Sequence, residues 1–492
     1  MKKIFISGAL LMGSLAMLAG GTVTNTNMSA AYLRNPAREG AIDIDGIYYN
    51  PAGTAFLPNG IHASVGMQTA IQERNTKVTF EPFALNAAHY GNSTVKYKGK
   101  AFAPVIPLAR LAYNWDRWNI QASFNVVGGG GKCKFQDGIG LLERVLAAKA
   151  YQLQGGLQQF GLPQKVAYSL YSDIVGESYQ FGVYVGTSYE IIKDHLAVSL
   201  GLQTVYAMNS YEGGLSSMKM LMGNPGEDIS TYIPAYNYLM AMSQQVQDPT
   251  TQAVLQATAE SVKEIPDVLL DCTQKGFGAT PVIGIDYRLN EKLNISARWQ
   301  FQTYLKMKTK ASNSPAAKQG EVAAQLKNAQ DGESFRSDIP GYLMTGIQYA
   351  PIKPLRLAVS YRYFDEKHAE RENISGLKNN KDNPGTHEVC FGLEWDIFKY
   401  LTFSCGYQGG IYQLRDKEMS DLDFQVNSNS ILMGFRVNIN DHWNIDLGYM
   451  HSFYDTRKVT TQVPITETAS LPYLVDFSRK NDVVGIAVNM CY

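Results

Sequence analysis

Residues 443–449 read Trp443-Asn-Ile-Asp-Leu-Gly-Tyr449, with apolar or aromatic side chains at the odd positions and Asn444, Asp446 and Gly448 at the even ones. Period two is the spacing of a β-strand, whose successive side chains point to opposite faces. Residues 355–363 repeat it with Arg356, Ser360 and Arg362 on the second face, and residues 293–301 repeat it again. A soluble sandwich alternates in the same way, so the pattern identifies strands without naming the solvent on either side.

The connections name it. Strands are expected near 61–81, 92–114, 117–132, 177–192, 195–211, 275–289 and 292–308, then near 339–351, 354–371, 385–399, 400–415, 428–440, 442–459 and 479–492. Fourteen is an even number, as in single-chain bacterial membrane barrels. After every even-numbered strand but the last comes a tight turn, such as Asn114-Trp-Asp-Arg117, Ile192-Lys-Asp194, Asn290-Glu-Lys292 or Asn440-Asp-His442. After every odd-numbered strand comes something longer, up to residues 212–274. Short periplasmic turns alternating with long external loops mark an all-β fold, a closed antiparallel transmembrane barrel, with a domain spanning 60–492. Alternation then assigns Ile295, Val359, Leu447 and Tyr449 to lipid and Arg298, Arg362 and Asp446 to a lumen where charge is expected to be tolerated. The last strand ends on an aromatic, Tyr492, and its partner must be the first strand if no edge is to remain free.

The two ends of the chain fit export. Met1-Lys-Lys3, an apolar run over 4–18 and the small residues Ala19-Gly-Gly21 describe a signal peptide over 1–21. No later run is long and apolar enough for a spanning helix, and mean hydropathy is −0.19. Lys plus Arg and Asp plus Glu balance at 44 each, which gives no electrostatic case for nucleic acid. Five cysteines leave no complete disulfide framework. Cys390 and Cys405 fall on opposite faces of their strands, and the pairing of Cys133 with Cys272 stays open.

No catalytic or metal signature emerges. Gly128-Gly-Gly-Gly-Lys132 lacks the first glycine of a phosphate loop and has Cys133 where Ser or Thr should stand. No H-E-x-x-H or G-x-S-x-G is present, and the adjacent His451 and Ser452 point to opposite faces. The seven histidines have no metal spacing, so neither an enzyme nor a cofactor is expected. Helices are expected over 139–154, 236–246 and 250–262 in the long loops. The methionines Met218, Met220, Met222, Met240 and Met242 suit either the packing of a cap or an exposed surface that captures a greasy ligand.

Before the first strand, residues 47–56 read IYYNPAGTAF, inside a Pro- and Gly-punctuated segment over 22–59. Tyr49-Asn-Pro-Ala-Gly53, Arg38-Glu-Gly-Ala41, Ala103-Pro104 with Pro107, and Asp338-Ile-Pro-Gly341 together resemble the FadL family of outer-membrane transporters for long-chain fatty acids and other hydrophobic compounds. The resemblance covers most of the mature chain, with Asn50-Pro51-Ala52 its most specific element. It implies that residues 22–59 form a hatch in the lumen, where irregular backbone is tolerated because protein rather than lipid surrounds it. It further implies energy-independent uptake: capture on the loops, a hydrophobic lumen pocket, and sideways exit where strand three is kinked. Gly128, Gly129, Gly130 and Gly131 would supply that kink. The implied partners are a hydrophobic small molecule, outer-membrane lipid and, during biogenesis, the barrel-assembly machinery. Where a family member carries a basic residue near the end of strand five, this chain has Tyr206-Ala-Met208-Asn, which leaves Arg371 as the candidate for a ligand carboxylate. A general diffusion porin and a surface receptor or adhesin using the long loops are the alternatives.

Overall fold

Segments that alternate in period two can leave no unpaired edge in lipid, and the structure meets this by closing the sheet on itself. The computed structural model describes residues 26–312, 327–372, 378–379, 383–416, 419, 424–466 and 469–492. The expected signal peptide therefore lies outside the described residues. The wall begins with β1 (Gly60–Phe80), β2 (Thr94–Trp115), β3 (Trp118–Phe135), β4 (Lys165–Ile192) and β5 (Leu196–Gly223). It continues through β6 (Val268–Asn290), β7 (Leu293–Gln300), β8 (Gly341–Ile352), β9 (Leu355–Asp365) and β10 (Thr386–Phe398). It ends with β11 (Leu401–Tyr412), β12 (Ser428–Asn438), β13 (Trp443–Tyr454) and β14 (Ser470–Cys491). Each strand pairs antiparallel with the next, and β14 pairs with β1 from His62↔Cys491 to Phe80↔Tyr473. The result is a closed barrel of fourteen strands, the number expected from the turns.

Outward side chains form a lipid-facing belt. Leu447, Tyr449, Val359 and Ile295 are between 38% and 46% exposed, whereas Asp446, Arg362 and Arg298 are at most 1% exposed. On β1 the large exposed apolar residues run from Ile61 to Ile71, which at about 3.3 Å per residue and a tilt of about 45° covers roughly 25 Å. Exposed Tyr113, Trp115, Trp118, Trp395, Tyr400 and Tyr492 ring the short-turn end. Two of those turns take their residue with φ above zero from aspartate, Asp116 (φ 49°) and Asp194 (φ 62°), a residue type that tolerates this region.

Above the belt the strands run further than expected. β4 and β5 extend as a long hairpin joined at Tyr171↔Ser216 and beyond, so Met218, Met220 and Met222 lie in a strand rather than a loop. Lys306–Ala311 prolongs β7 after a break at 301–305, and Arg457–Pro464 prolongs β13. Three helices, α3 (Gly140–Gln159), α4 (Ala235–Gln245) and α5 (Pro249–Lys263), fall where the loops were expected to be helical. Below them two short helices, α1 (Ala30–Arg34) and α2 (Gly46–Tyr49), lie inside the lumen.

The cap formed by α3–α5 has a core of its own. Ile139, just before α3, and Leu142 and Leu146 of α3 pack with Val78, Phe80, Tyr97 and Tyr473 from the upper wall. Glu143 is buried here, accepting hydrogen bonds from Asn86 Nδ2 (2.7 Å), Tyr97 Oη (2.7 Å) and Tyr168 Oη (2.8 Å). Cys133 and Cys272 are both buried in the same cluster and both free. Cys390 faces the lumen beside Ala37, while Cys405 is half-buried and free.

The belt makes a direct prediction. Leu447→Arg places a cation in lipid and is expected to cost about 2–4 kcal/mol of folding free energy in a bilayer. Folding into vesicles followed by heat-modifiable migration should show this loss. Wild-type folding yield for Leu447→Arg would contradict the lipid assignment.

Candidate functional site

The irregular segment before β1 is folded into the lower lumen, and its sequence explains how it stays there. Asn50 Oδ1 accepts the Gly53 N–H (3.0 Å), closing a local turn, while Asn50 Nδ2 donates to the carboxylate of Asp286 on β6. A Cβ at Gly53 would come within 2.8 Å of that Asp286 oxygen and closer still to Asn50, so only glycine fits after Asn-Pro-Ala. The Pro51 carbonyl accepts from Gln121 Nε2 (2.9 Å), and Ala52 packs with Ala55 and Ala197. Each member of the Asn50-Pro51-Ala52 motif thus touches the wall or the turn that meets it.

A ring of alternating charge holds the rest. Arg34 bonds Glu394 (3.0 Å) and Asp446 (2.8 Å), and Arg38 bonds Glu394 (2.9 Å), Asp43 (3.0 Å) and Asp45 (2.8 Å). Arg436 closes the circuit between Asp43 (2.7 Å) and Asp446 (2.8 Å), and Arg356 joins Glu394 (3.2 Å) to Asp396 (2.7 Å). Arg34, Arg38, Asp43 and Asp45 belong to the plug; the others belong to the wall. Arg362 repeats the theme, bonding Glu39 of the plug (2.5 Å) and Glu388 of β10 (3.1 Å). Its guanidinium also lies 5.2 Å from the centre of the Tyr32 ring, as that of Arg298 lies 4.8 Å from Tyr48. The lumen face was expected to tolerate charge, with Asp446→Arg folding and at most altering transport. The structure corrects this: Asp446 is buried within the ring, so Asp446→Arg would replace its carboxylate with a third cation.

Wall glycines provide the seat. A Cβ at Gly448 would come 2.5 Å from Leu33 Cβ, one at Gly434 2.8 Å from Arg34 Cβ, and one at Gly406 2.3 Å from Pro36 Cδ. Gly434 and Gly448 are cross-strand partners, as are Gly448 and Gly485. The plug can lie flat on the wall because these positions have no side chain.

Two cavities flank the plug. The lower one, about 280 Å³, is lined by Arg34, Arg38, Arg356, Arg436, Asp396 and Asn438, close to the short turns. The upper one, about 190 Å³, has Thr26, Asn27 and Tyr32 of the plug on its floor. Its back wall is polar, with Gln408, Ser430, Ser452, Asn481 and Arg479, whereas its mouth is Ala70, Phe102, Ala103, Ile106 and Val126 with Gly129–Gly131. The pocket is therefore two-sided rather than wholly hydrophobic as the family resemblance implied.

That mouth coincides with a break in the barrel wall. β2 pairs with β3 at Ala101↔Cys133 and not again until Ala109↔Phe124, which leaves 102–108 without its ladder on that side. Seven residues at about 3.3 Å each make a gap of roughly 20 Å along the strand. On β3 the register against β4 slips between Val126 and Gly128 and again between Gly128 and Gly131. Gly129 (φ 97°) and Gly131 (φ 66°) adopt backbone that other residues avoid, which is how β3 bulges here. On β2, Pro104 and Pro107 have no N–H to offer β3. Both prolines were visible in the sequence, and a pair of prolines in a non-edge strand is the signal that locates the gap. The break also lies within the belt, since Phe102, at its upper end, is 59% exposed beside Ile71.

The remaining candidates fall elsewhere. Met218, Met220 and Met222 are buried in the cap core, with Met240 and Met242 packed against it. Arg371 does not line the cavity; it pairs with Glu366 (2.6 Å) and donates to the Asp338 carbonyl (3.0 Å). Ser452 bonds Ser430 (2.8 Å) inside the wall, while His451 bonds Asp482 (2.7 Å) outside it. Among the described residues no group of three His, Cys, Asp or Glu could hold a metal.

No family model and no curated protein matches the sequence. Solved structures do. A FadL homologue of Pseudomonas aeruginosa aligns over 96% of this chain and 100% of its own at 12% identity, with TM-score 0.60. The Pseudomonas putida toluene transporter TodX aligns over 95% of this chain and 99% of its own at 13% identity, with TM-score 0.55. The Ralstonia pickettii toluene transporter TbuX covers 93% and 97% at 14% identity, with TM-score 0.51. The chain has the fold of these FadL-type channels.

The ring predicts how the plug can be loosened. Glu394→Leu leaves Arg34, Arg38 and Arg356 without a shared acceptor, a loss expected to cost about 3–5 kcal/mol. The urea midpoint should fall, and purified protein in a planar bilayer should pass ions that the wild type holds back. Asn50→Asp, which sets two carboxylates together at Asp286, should raise conductance more than Asn50→Ala. Wild-type conductance for both Glu394→Leu and Asn50→Asp would mean the plug is held by other contacts.

Proposed function

We propose that the chain carries hydrophobic small molecules inward across the outer membrane of a Gram-negative cell by diffusion, without an energy source. In this reading residues 22–59 are the hatch, which blocks a straight path to the periplasm. A ligand enters from the capped end, rests in the upper cavity and leaves sideways between β2 and β3 into the membrane. The observation that carries the reading is the coincidence of the cavity mouth with the break in the ladder. A general porin would need an open lumen, and here a buried charge ring ties the plug across it.

The cavity also narrows the ligand class. Phe102, Ala103, Ile106 and Val126 suit an apolar body, and the polar back wall suits a polar end. A carboxylate there would meet Arg479, whose Nε has no hydrogen-bond partner and whose guanidinium lies 5.1 Å from the Tyr454 ring centre. Toluene is the cargo named for two of the similar structures. Long-chain fatty acids and related amphiphiles fit the two-sided cavity of this chain better than a plain hydrocarbon does. Outer-membrane lipid would receive the ligand at the gap, and the terminal strand ending in Tyr492 would be read by the assembly machinery.

The gap can be closed reversibly. A Cβ at Gly131 would lie 3.9 Å from that of Ala103, within disulfide range across the opening. The double variant Ala103→Cys/Gly131→Cys, made in a background without the five native cysteines, should take up labelled fatty acid at least about tenfold more slowly when oxidised. Reductant should restore the rate. Equal uptake by the oxidised and reduced forms, with the crosslink confirmed by mass spectrometry, would overturn lateral exit.

A further inference from the structure

The chain's positive and negative side chains balance in number, yet they are not evenly spread. On the outer wall just above the belt, Lys480 of β14, Glu73 of β1, Lys100 of β2 and Lys134 of β3 form one continuous row of cross-strand neighbours. Four residues further along the strands, beyond Asn75 and Lys98, the side chains of Lys458, Asp476, Lys77 and Lys96 form a second row. Lys98 and Lys132 also point outward here and are engaged by Glu73 (2.8 Å) and Glu177 (2.7 Å). Asp482 stands on the same face beside Lys480 and Glu212 near Lys132, so eight lysines against five carboxylates leave three positive charges in excess. Among the described residues, no carboxylate oxygen lies within 4.0 Å of Lys77, Lys96, Lys100, Lys134, Lys458 or Lys480.

Two features make this more than a solvated surface. Lys77 stands directly opposite Lys96, and Lys100 directly opposite Lys134, so like charges are cross-strand partners twice over. Such pairs destabilise a sheet unless an anion lies between them. The first row also lies two residues above Ile71 and Phe102, the last large apolar side chains of the belt, which is about 7 Å along the strand. That is the depth of lipid headgroups. A band of the same kind continues on β6 and the prolongation of β7, where Lys275 stands opposite Lys308 and Lys306 and Lys310 are exposed.

We propose that this face, on β14, β1, β2 and β3, binds the phosphate of a lipid headgroup and so holds a lipid directly over the lateral gap. The lysines take the phosphate oxygens as point charges, and the acyl chains lie against Ile71, Phe102 and Val105 below. A soluble polyanion would use the lysines but not the apolar surface beneath them. The inference rests on the reading of the barrel as membrane-spanning with its cap outside.

The test is a titration of the full-length protein in mild detergent with phosphatidic acid and, separately, with phosphatidylcholine, followed by native mass spectrometry. The variant Lys77→Gln/Lys96→Gln/Lys100→Gln/Lys134→Gln should bind phosphatidic acid at least about tenfold more weakly and phosphatidylcholine as the wild type does. Binding of phosphatidic acid to the wild type should also fall as salt is raised, which checks the same point without a variant. Unchanged phosphatidic acid binding by the variant would overturn the proposal, and so would its full displacement by inorganic phosphate, because the site would then hold a free anion rather than a lipid. Failure of the wild type to fold into bilayers would instead overturn the membrane reading beneath it.

Discussion

Glu394 is the point on which the lower half of the molecule turns. Its carboxylate accepts from Arg34, Asn35 and Arg38 of the plug and from Arg356 of its own wall. A buried carboxylate is tolerable only when its charge is matched and its lone pairs are filled, and the same holds for each arginine around it. The ring through Arg34, Glu394, Arg38, Asp43, Arg436 and Asp446 meets that demand for all six at once. Such a ring is weak evidence for net stability, because desolvation takes back much of what the pairing contributes. Its consequence is specificity: the plug has one position in which every charge is answered, and any displacement strands several of them.

Much of the wall was legible from period two. Alternation placed Leu447 and Asp446 on the correct faces, and the sorting of short and long connections distinguished a membrane barrel from a sandwich. Alternation says which face a residue takes but not what it meets there. Arg34, Arg38 and Glu394 read as ordinary lumen or loop charges until the plug is in place, since their partners lie some 360 positions apart in the chain. Gly448 reads as a polar-face residue in residues 443–449, when its role is to leave room for Leu33. The strands' upper limits were missed for a related reason. Above the belt both faces of β5 border protein or water of mixed character, so the contrast between apolar and polar positions fades around Met218–Met222.

The break between β2 and β3 sets a constraint that explains the cavity's chemistry. A backbone N–H or C=O facing hydrocarbon without a partner costs several kcal/mol, so an open ladder in the belt must face something polar. Pro104 and Pro107 remove two donors, and Thr69 Oγ1 donates to the Pro104 carbonyl (2.7 Å). Ala103 and Ile106 line a cavity whose other walls include Gln68, Gln72 and Asn27. The polar lining is therefore required by the gap itself, and the same groups are those that would face the polar end of an amphiphile. On the proposed route the apolar body of a ligand would pass Ala103, Ile106 and Val126, which bound the opening beside Lys132. A hole in a membrane wall can persist only if it is wet inside and greasy at the rim; here β2 and β3 supply the rim, and Gln68 and Gln72 of β1 with Asn27 of the plug supply the polar interior.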